Sequence, residues 1–280
     1  WNVRADGSTR ACVGQSLMQS FFARLQDRAS DINSLLCVGL DPHPELLPEV
    51  TPEAARNLCM RIIKECSPYA CAFKPNSAFF EAFGPDGMAV LMDVVAAVPD
   101  AIPVILDSKR GDISSTAESY AQSIFEVLGA HAVTASPYLG ADSLAPFLAR
   151  PECGVFVLCK TSNPGADNLQ TLRVGAQPVY LHVAHQAQTW SQHDNLGLVV
   201  GATDPQALAQ VREAAPNSWL LVPGIGAQGG DLAATIRAGL RSDHLGMLIN
   251  ASRSIASAVD PAAAAAQLRD AINSERVSSV

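Results

Sequence analysis

The stretch VILDSKRGDISST, residues 104–116, begins as a buried apolar strand and then delivers Asp107, Lys109 and Asp112 in quick succession. Residues i and i+2 of a strand face the same way, so Asp107 and Lys109 project together while Ser108 points opposite. Two more charges close other apolar runs, Lys74 in AFKPN and Asp41 in VGLDP. A lattice of alternating ammonium and carboxylate groups is costly to desolvate, and its protonation equilibria are strongly coupled. One such pair reads equally well as a structural ion-pair layer. Charges at the ends of three consecutive strands, with Asp112 in the following turn, read better as a reaction centre. There a fixed ammonium can stabilise developing negative charge and donate a proton.

A second constellation lies near the C-terminus. Gln228 in VPGIGAQGGD sits among glycines, and the stretch runs into a helix expected from Asp231; exposed amides and a helix start suit an anion. The last apolar run leads into NASRSI and Arg253, whose planar guanidinium matches phosphate oxygens. A glycine-rich turn alone signals only tight turning. Joined to Arg253 on the next loop, it points to a phosphorylated ligand.

Other candidates carry less. His182 and His185 share a predicted helix with no third ligand near them in sequence, and read as surface or packing residues. Tyr120, Trp190 and Trp219 are expected to pack between helices and sheet. The cysteines at 12, 37, 59, 66, 71, 153 and 159 form no Cys-x-x-Cys pair and read as buried free thiols of a reducing, cytoplasmic compartment. No nicotinamide, flavin or pyridoxal pattern is present, and neither a cofactor nor a metal is expected.

The elements that must position these residues follow a regular alternation. Strand candidates fall at 35–41, 69–76, 103–109, 131–138, 154–162, 196–202, 219–226 and 245–252. Between and after them come helix start signals: Thr51-Pro52, Ser115 with Glu118 as a capping box, Asp142, Asp204-Pro205, Asp231 and Asp260-Pro261. Ala121, Ile124, Phe125 and Leu128 form a helical apolar stripe stopped by Gly129. This order and spacing match a (β/α)8 TIM barrel with an extra N-terminal helix over 16–31. An open doubly wound sheet is the structural alternative. Active sites of parallel barrels sit at the C-terminal ends of the strands, where Asp41, Lys74, Asp107 and Lys109 fall, and phosphate is commonly held after strands seven and eight.

Composition sets the outer bounds. The 280 residues are 48% hydrophobic and 16% charged, enough for one large core, and no linker divides them; residues 16–280 read as a single catalytic domain. A net charge of −8 argues against broad binding to nucleic acid or acidic membrane, yet leaves room for one basic pocket. The longest apolar run, AVLMDVVAAV, contains Asp93 and is closed by Pro99, too short to span a bilayer. Residues 1–15 read as a leader without an assigned role.

In this order, FKPN, DSKRGDI with Thr116, the TSNPGA loop and PGIGAQGGD followed by ASRSI resemble the orotidine 5′-phosphate decarboxylases, over about residues 33–275. The wording is closest to the longer, divergent branch of that family. The Asp-x-Lys-x-x-Asp element alone is shared by sugar-phosphate enzymes on related barrels, whereas the four motifs together are specific. The resemblance implies decarboxylation of orotidine 5′-phosphate to UMP and carbon dioxide by a homodimer. It implies a charged array of Lys74, Asp107, Lys109 and Asp112, with Asp112, Ile113 and Thr116 reaching the neighbouring subunit's site.

In that reading Lys109 protonates pyrimidine C6, Asp107 lies beside the departing carboxylate, and Lys74 holds Asp107 and the ribose. Asp41, Asp112 and Thr116 bind ribose hydroxyls and Ser162 the pyrimidine edge. Gln228, Ser252 and Arg253 take the 5′-phosphate, with Pro223 a further substrate contact. Asn76 and Lys160 fall near the same rim without an assigned role. The nearest rival is a metal-dependent decarboxylase or aldolase acting on a ketose phosphate, and a binding-only descendant would have lost one of the charged residues.

Overall fold

The computed structural model describes residues 19–225 and 229–278. The leader at 1–15, the start of the extra helix at 16–18 and Gln228 lie outside the described residues. All eight expected strands form. They are β1 (Leu36–Leu40), β2 (Ala72–Pro75), β3 (Ile105–Arg110), β4 (Ala132–Ala135) and β5 (Gly154–Lys160), then β8 (Leu196–Val200), β9 (Leu220–Pro223) and β10 (Met247–Ala251). The intervening β6 (Arg173–Val174) and β7 (Gln177–Pro178) make a small antiparallel hairpin that the sequence pattern did not announce.

The eight long strands pair in parallel in the order β2-β1-β10-β9-β8-β5-β4-β3. Bridges from Phe73 to Val104 and from Asn76 to Asp107 bring β2 against β3, so the sheet curls into a barrel instead of an open layer. Strands β1, β8 and β10 are buried along their whole length, as expected where helices cover one face and barrel side chains fill the other.

Local chemistry accounts for the helix starts. Thr51 accepts from the Ala54 amide at 3.2 Å, Asp204 from Ala207 at 2.9 Å and Asp231 from Ala234 at 3.1 Å, with Pro52 and Pro205 opening their helices. Asp260 does the same for Ala263 at 2.9 Å ahead of the C-terminal helix Pro261–Ser278.

One expected start needs correction, and a second holds without a side-chain cap from the expected residue. The proposed Ser115–Glu118 capping box does not form: the helix begins at Ser114 behind Ile113, which offers no side-chain cap, and Glu118 pairs with Arg150 at 2.8 Å. With Ser115 already inside the helix, it cannot serve as the cap residue the box requires. Asp142 sits inside the first turn of Ala141–Leu148, where Gly140 is the cap residue and its carbonyl accepts from the Ser143 hydroxyl. The stripe of Ala121, Ile124 and Leu128 is buried as expected, but its last turn is π-helical over Ser123–Val127, ending at Gly129 with φ +72°.

Helix Phe21–Asp31 plugs the end of the barrel away from the strand C-termini. Phe21 and Phe22 meet Phe156 edge-on at 6.0 and 5.5 Å, and Phe22 stacks on Trp219. A side chain at Gly154, where β5 begins, would come within 2.4 Å of the Phe21 ring, so glycine there is what admits the plug. With that end filled by aromatic rings, the open end is the rim where Asp41, Lys74, Asp107 and Lys109 stand.

Candidate active site

Asp107 is the hub of the rim. Its Oδ2 accepts from Lys74 Nζ at 2.8 Å and more distantly from Asn76 Nδ2 at 3.4 Å; its Oδ1 accepts from Lys109 Nζ at 2.7 Å and from the Thr134 hydroxyl at 2.9 Å. The two lysines differ in access. The Lys74 side chain is 5% exposed and that of Lys109 49%, so Lys74 is locked into the wall while Lys109 stands in the opening.

Burial alone would discharge both members of the inner pair, but each is held in its charged form by the other. Desolvation pushes the Asp107 carboxyl upward, and the ammonium groups of Lys74 and Lys109 overcome it, leaving the carboxyl well below the usual carboxylate range. Desolvation likewise pulls Lys74 down, and the carboxylates of Asp107 and Asp41 overcome it, holding the ammonium above its ordinary value.

Thr134 on β4 is the support that sequence reasoning missed. Its hydroxyl donates to Asp107 and accepts from the backbone amides of Ser108 and Lys109 at 3.1 and 3.0 Å. Those two amides are available because β3 slips register against β4 between Leu106 and Arg110, and Lys109 adopts φ +48°. The expected meeting of Asp107 and Lys109 therefore occurs, but through a bulge stitched by Thr134 and not through regular strand alternation. The available signal was a lone hydroxyl in the apolar run AVTA. Asn76, unassigned from sequence, both supports Asp107 and caps helix Ser77–Glu81 by accepting from the Ala78 amide at 3.1 Å.

These groups border a cavity of about 590 Å³, the size class of a nucleotide-sized ligand. Of the residues singled out from sequence, Asp41, Lys74, Asp107 and Lys109 line it, as do Ser162, Pro223, Ser252 and Arg253. Asp112, Ile113 and Thr116 do not: Ile113 and Thr116 are exposed on the helix start beyond the rim, and the Asp112 carboxylate accepts from the Ile113 amide. Lys160 turns away from this array to pair with Asp167 at 2.9 Å, while Gln170 holds both the amide and the hydroxyl of Thr161 at 2.8 Å. His43, not singled out from sequence, also borders the cavity, its ring edge-on to Phe79 at 4.3 Å.

The wall formed by the ends of β1 and β10 is less saturated. Asp41 Oδ1, Asn250 Oδ1 and Ser252 Oγ are buried without a hydrogen-bond partner. Close approach there depends on Gly39, since a Cβ at that position would lie 2.5 Å from the Ser252 Cβ and 3.0 Å from Asp41 Oδ2. Arg253 projects exposed at the mouth, next to the end of this wall. Among the described residues, no three His, Cys, Asp or Glu side chains group as metal ligands; His182 Nε2 instead contacts the Val174 carbonyl at 3.0 Å.

Comparison with known proteins bears directly on this arrangement. The family model described as "Orotidine 5'-phosphate decarboxylase / HUMPS family" matches residues 34–268. The orotidine 5′-phosphate decarboxylase of Roseiflexus castenholzii is 49% identical, covering 91% of this chain and 97% of its own length. That of Bordetella pertussis is 47% identical, with 92% and 99% covered. A solved Leishmania donovani OMP decarboxylase superposes with a TM-score of 0.86 at 54% identity, covering 92% of this chain and 99% of that one. The Leishmania donovani UMP synthase superposes at 0.88 and 56% identity, and the present chain spans 56% of that longer protein. With its strand-end charges, its barrel and these relatives in agreement, the chain belongs to the orotidine 5′-phosphate decarboxylase / HUMPS family.

Proposed function

We propose that this chain converts orotidine 5′-phosphate to UMP and carbon dioxide, the closing step of pyrimidine nucleotide synthesis. The observation that carries the reading is Asp107 held between buried Lys74 and accessible Lys109 at the mouth of the barrel. Loss of carbon dioxide from C6 leaves an electron pair with no adjacent carbonyl to receive it. An ammonium fixed at that point stabilises the charge as it develops and then delivers the proton. Lys109 has the exposure for this role, and Asp107 fixes its direction at 2.7 Å. Asp107 itself stays ionised beside the incoming substrate carboxylate; Lys74 keeps it so.

Asp41 is assigned to the ribose, Ser162 to the pyrimidine edge, Pro223 to the substrate wall, and Ser252 and Arg253 with Gln228 to the phosphate. Gripping the distant phosphate supplies binding energy that is expressed at the reacting carbon. A homodimer is part of the reading: Asp112, Ile113 and Thr116 lie off this chain's own cavity with Ile113 53% exposed, a placement that suits delivery to a partner's site. A cytoplasmic setting is supported by the unpaired, buried thiols of Cys37, Cys59, Cys66, Cys71, Cys153 and Cys159. No helix among the described residues is long and apolar enough to cross a membrane.

The test follows the fall in orotidine 5′-phosphate ultraviolet absorbance on adding purified protein, with and without excess EDTA. Conversion to UMP that ignores the chelator is the expected result. Conversion abolished by EDTA would move the assignment to the metal-dependent sugar-phosphate enzymes, and no conversion would remove the decarboxylase reading.

A further inference from the structure

Asn250 is the least explained polar residue of the barrel interior. It lies in the fully buried strand β10, 9% exposed, in register with Cys37 of β1 and Pro223 of β9, and it lines the cavity. Its Oδ1 is buried without a partner, although leaving a buried carboxamide oxygen unpaired carries a desolvation cost. An apolar residue of the same size would avoid that cost, as Leu248 does one layer below on the same strand face.

We propose that Asn250 is a specificity-determining contact for the sugar hydroxyls of the nucleotide, made directly or through one ordered water. The inference rests on the decarboxylase reading above, and three features of the wall direct it. Asn250 stands between the strand that leads to Asp41 and the strand that leads to Pro223. Asp41 Oδ1 on the same wall, assigned above to the ribose, is likewise buried without a partner, so the wall presents a carboxylate and a carboxamide together. Of the cations near it, Lys74 is already held by Asp107 at 2.8 Å, and Arg253 stands farther up the chain at the exposed mouth. A phosphate placed deep against Asp41 would meet like charge, whereas a neutral group bearing several hydroxyls can donate to Asp41 and both donate to and accept from a carboxamide.

The test compares wild type with Asn250→Leu and Asn250→Ala. Each is assayed for orotidine 5′-phosphate turnover, for melting temperature, and for binding of UMP and of 2′,3′-dideoxy-UMP. Both variants are expected to lose roughly 10- to 100-fold in kcat/KM and in UMP affinity, in line with one or two lost hydrogen bonds. Affinity for the dideoxy compound should be unchanged within about twofold by the same reasoning. Asn250→Leu should melt at or above the wild-type temperature, an outcome that a purely structural asparagine would not produce.

Unchanged UMP binding in an active, folded variant would overturn the assignment, as would equal losses for UMP and the dideoxy compound. A fall in melting temperature for both variants with kcat/KM preserved would make Asn250 structural. Wild-type protein that turns over no orotidine 5′-phosphate would instead overturn the functional reading on which the assignment rests.

Discussion

The two sides of the cavity are prepared differently. On the side built by β2, β3 and β4, the charged array is paired throughout: Asp107 takes hydrogen bonds from Lys74, Lys109, Thr134 and Asn76, although the neighbouring Ser108 hydroxyl of β3 is buried without a partner. On the side built by β1 and β10, Asp41, Asn250 and Ser252 each keep a buried atom without one. A saturated network is rigid and oriented before anything binds, which is what electrostatic stabilisation of a short-lived charge requires. An unsaturated wall carries a desolvation cost that a ligand relieves, and so it favours binding of a matching group. Under the proposed function, the contrast assigns one side of the cavity to acting on charge and the other to holding the molecule still.

The largest effect that could break this division is expected from Lys109→Ala. Turnover should fall by roughly 10⁴-fold or more while UMP still binds, because the variant removes the accessible ammonium and leaves the opposite wall intact. Substantial residual turnover in a steady-state assay would exclude Lys109 as the principal acid.

Next in size is Lys74→Ala. It strips the buried partner from Asp107, and denaturant unfolding should register a loss of about 3–5 kcal/mol together with lost activity. Stability equal to wild type would mean that the saturated side is not rigid in the sense argued.

A smaller, purely binding effect is expected from Arg253→Ala. Its side chain is exposed, so melting temperature should hold while kcat/KM drops by roughly 100-fold, the value of a strong charge-assisted contact. Kinetics identical to wild type would take Arg253 out of the site.

The finest test is pH dependence of folding. The carboxyl of Asp107 is depressed, so its contribution is complete above its ordinary value of 3.8 and fades as pH falls toward the folded value. The ammonium of Lys74 is raised, so its contribution is complete below 10.5 and is lost as pH climbs through the folded value. The stability gap between wild type and the Lys74→Met, Asp107→Asn double variant should therefore be flat between roughly pH 5 and 9 and narrow outside 3.8–10.5. A gap that slopes through neutral pH would show that one member of the pair titrates there.

Legibility in the sequence varied with the range of the interactions concerned. The eight strands were readable because each is a short apolar run, covered on both faces and bounded by turn residues, and four of the helix starts because Thr51, Asp204, Asp231 and Asp260 bind amides only three residues away. The Ser115–Glu118 box failed because the helix begins at Ser114, which places Ser115 inside it and not at its cap, and Glu118 is left to pair with Arg150. Thr134 was not legible because its value lies in reaching across to β3, and nothing in AVTA specifies that neighbour. The β6–β7 hairpin was missed because strands of two residues carry no periodicity.

By itself, then, the chain determined its alternation of strands and helices, the strand-end charges at Asp41, Lys74, Asp107 and Lys109, and the motifs by which its family is known, all of them properties of local order and spacing. Tertiary structure alone decided which lysine is buried and which is open, how Thr134 stitches the bulge that aims Lys109, and that the β1 and β10 wall is left unsatisfied. Those depend on closure of the barrel, which sets β3 against β4 and Asn250 between Cys37 and Pro223 across large separations in sequence. Burial and hydrogen-bond satisfaction are properties of neighbours in space, and only closure supplies them.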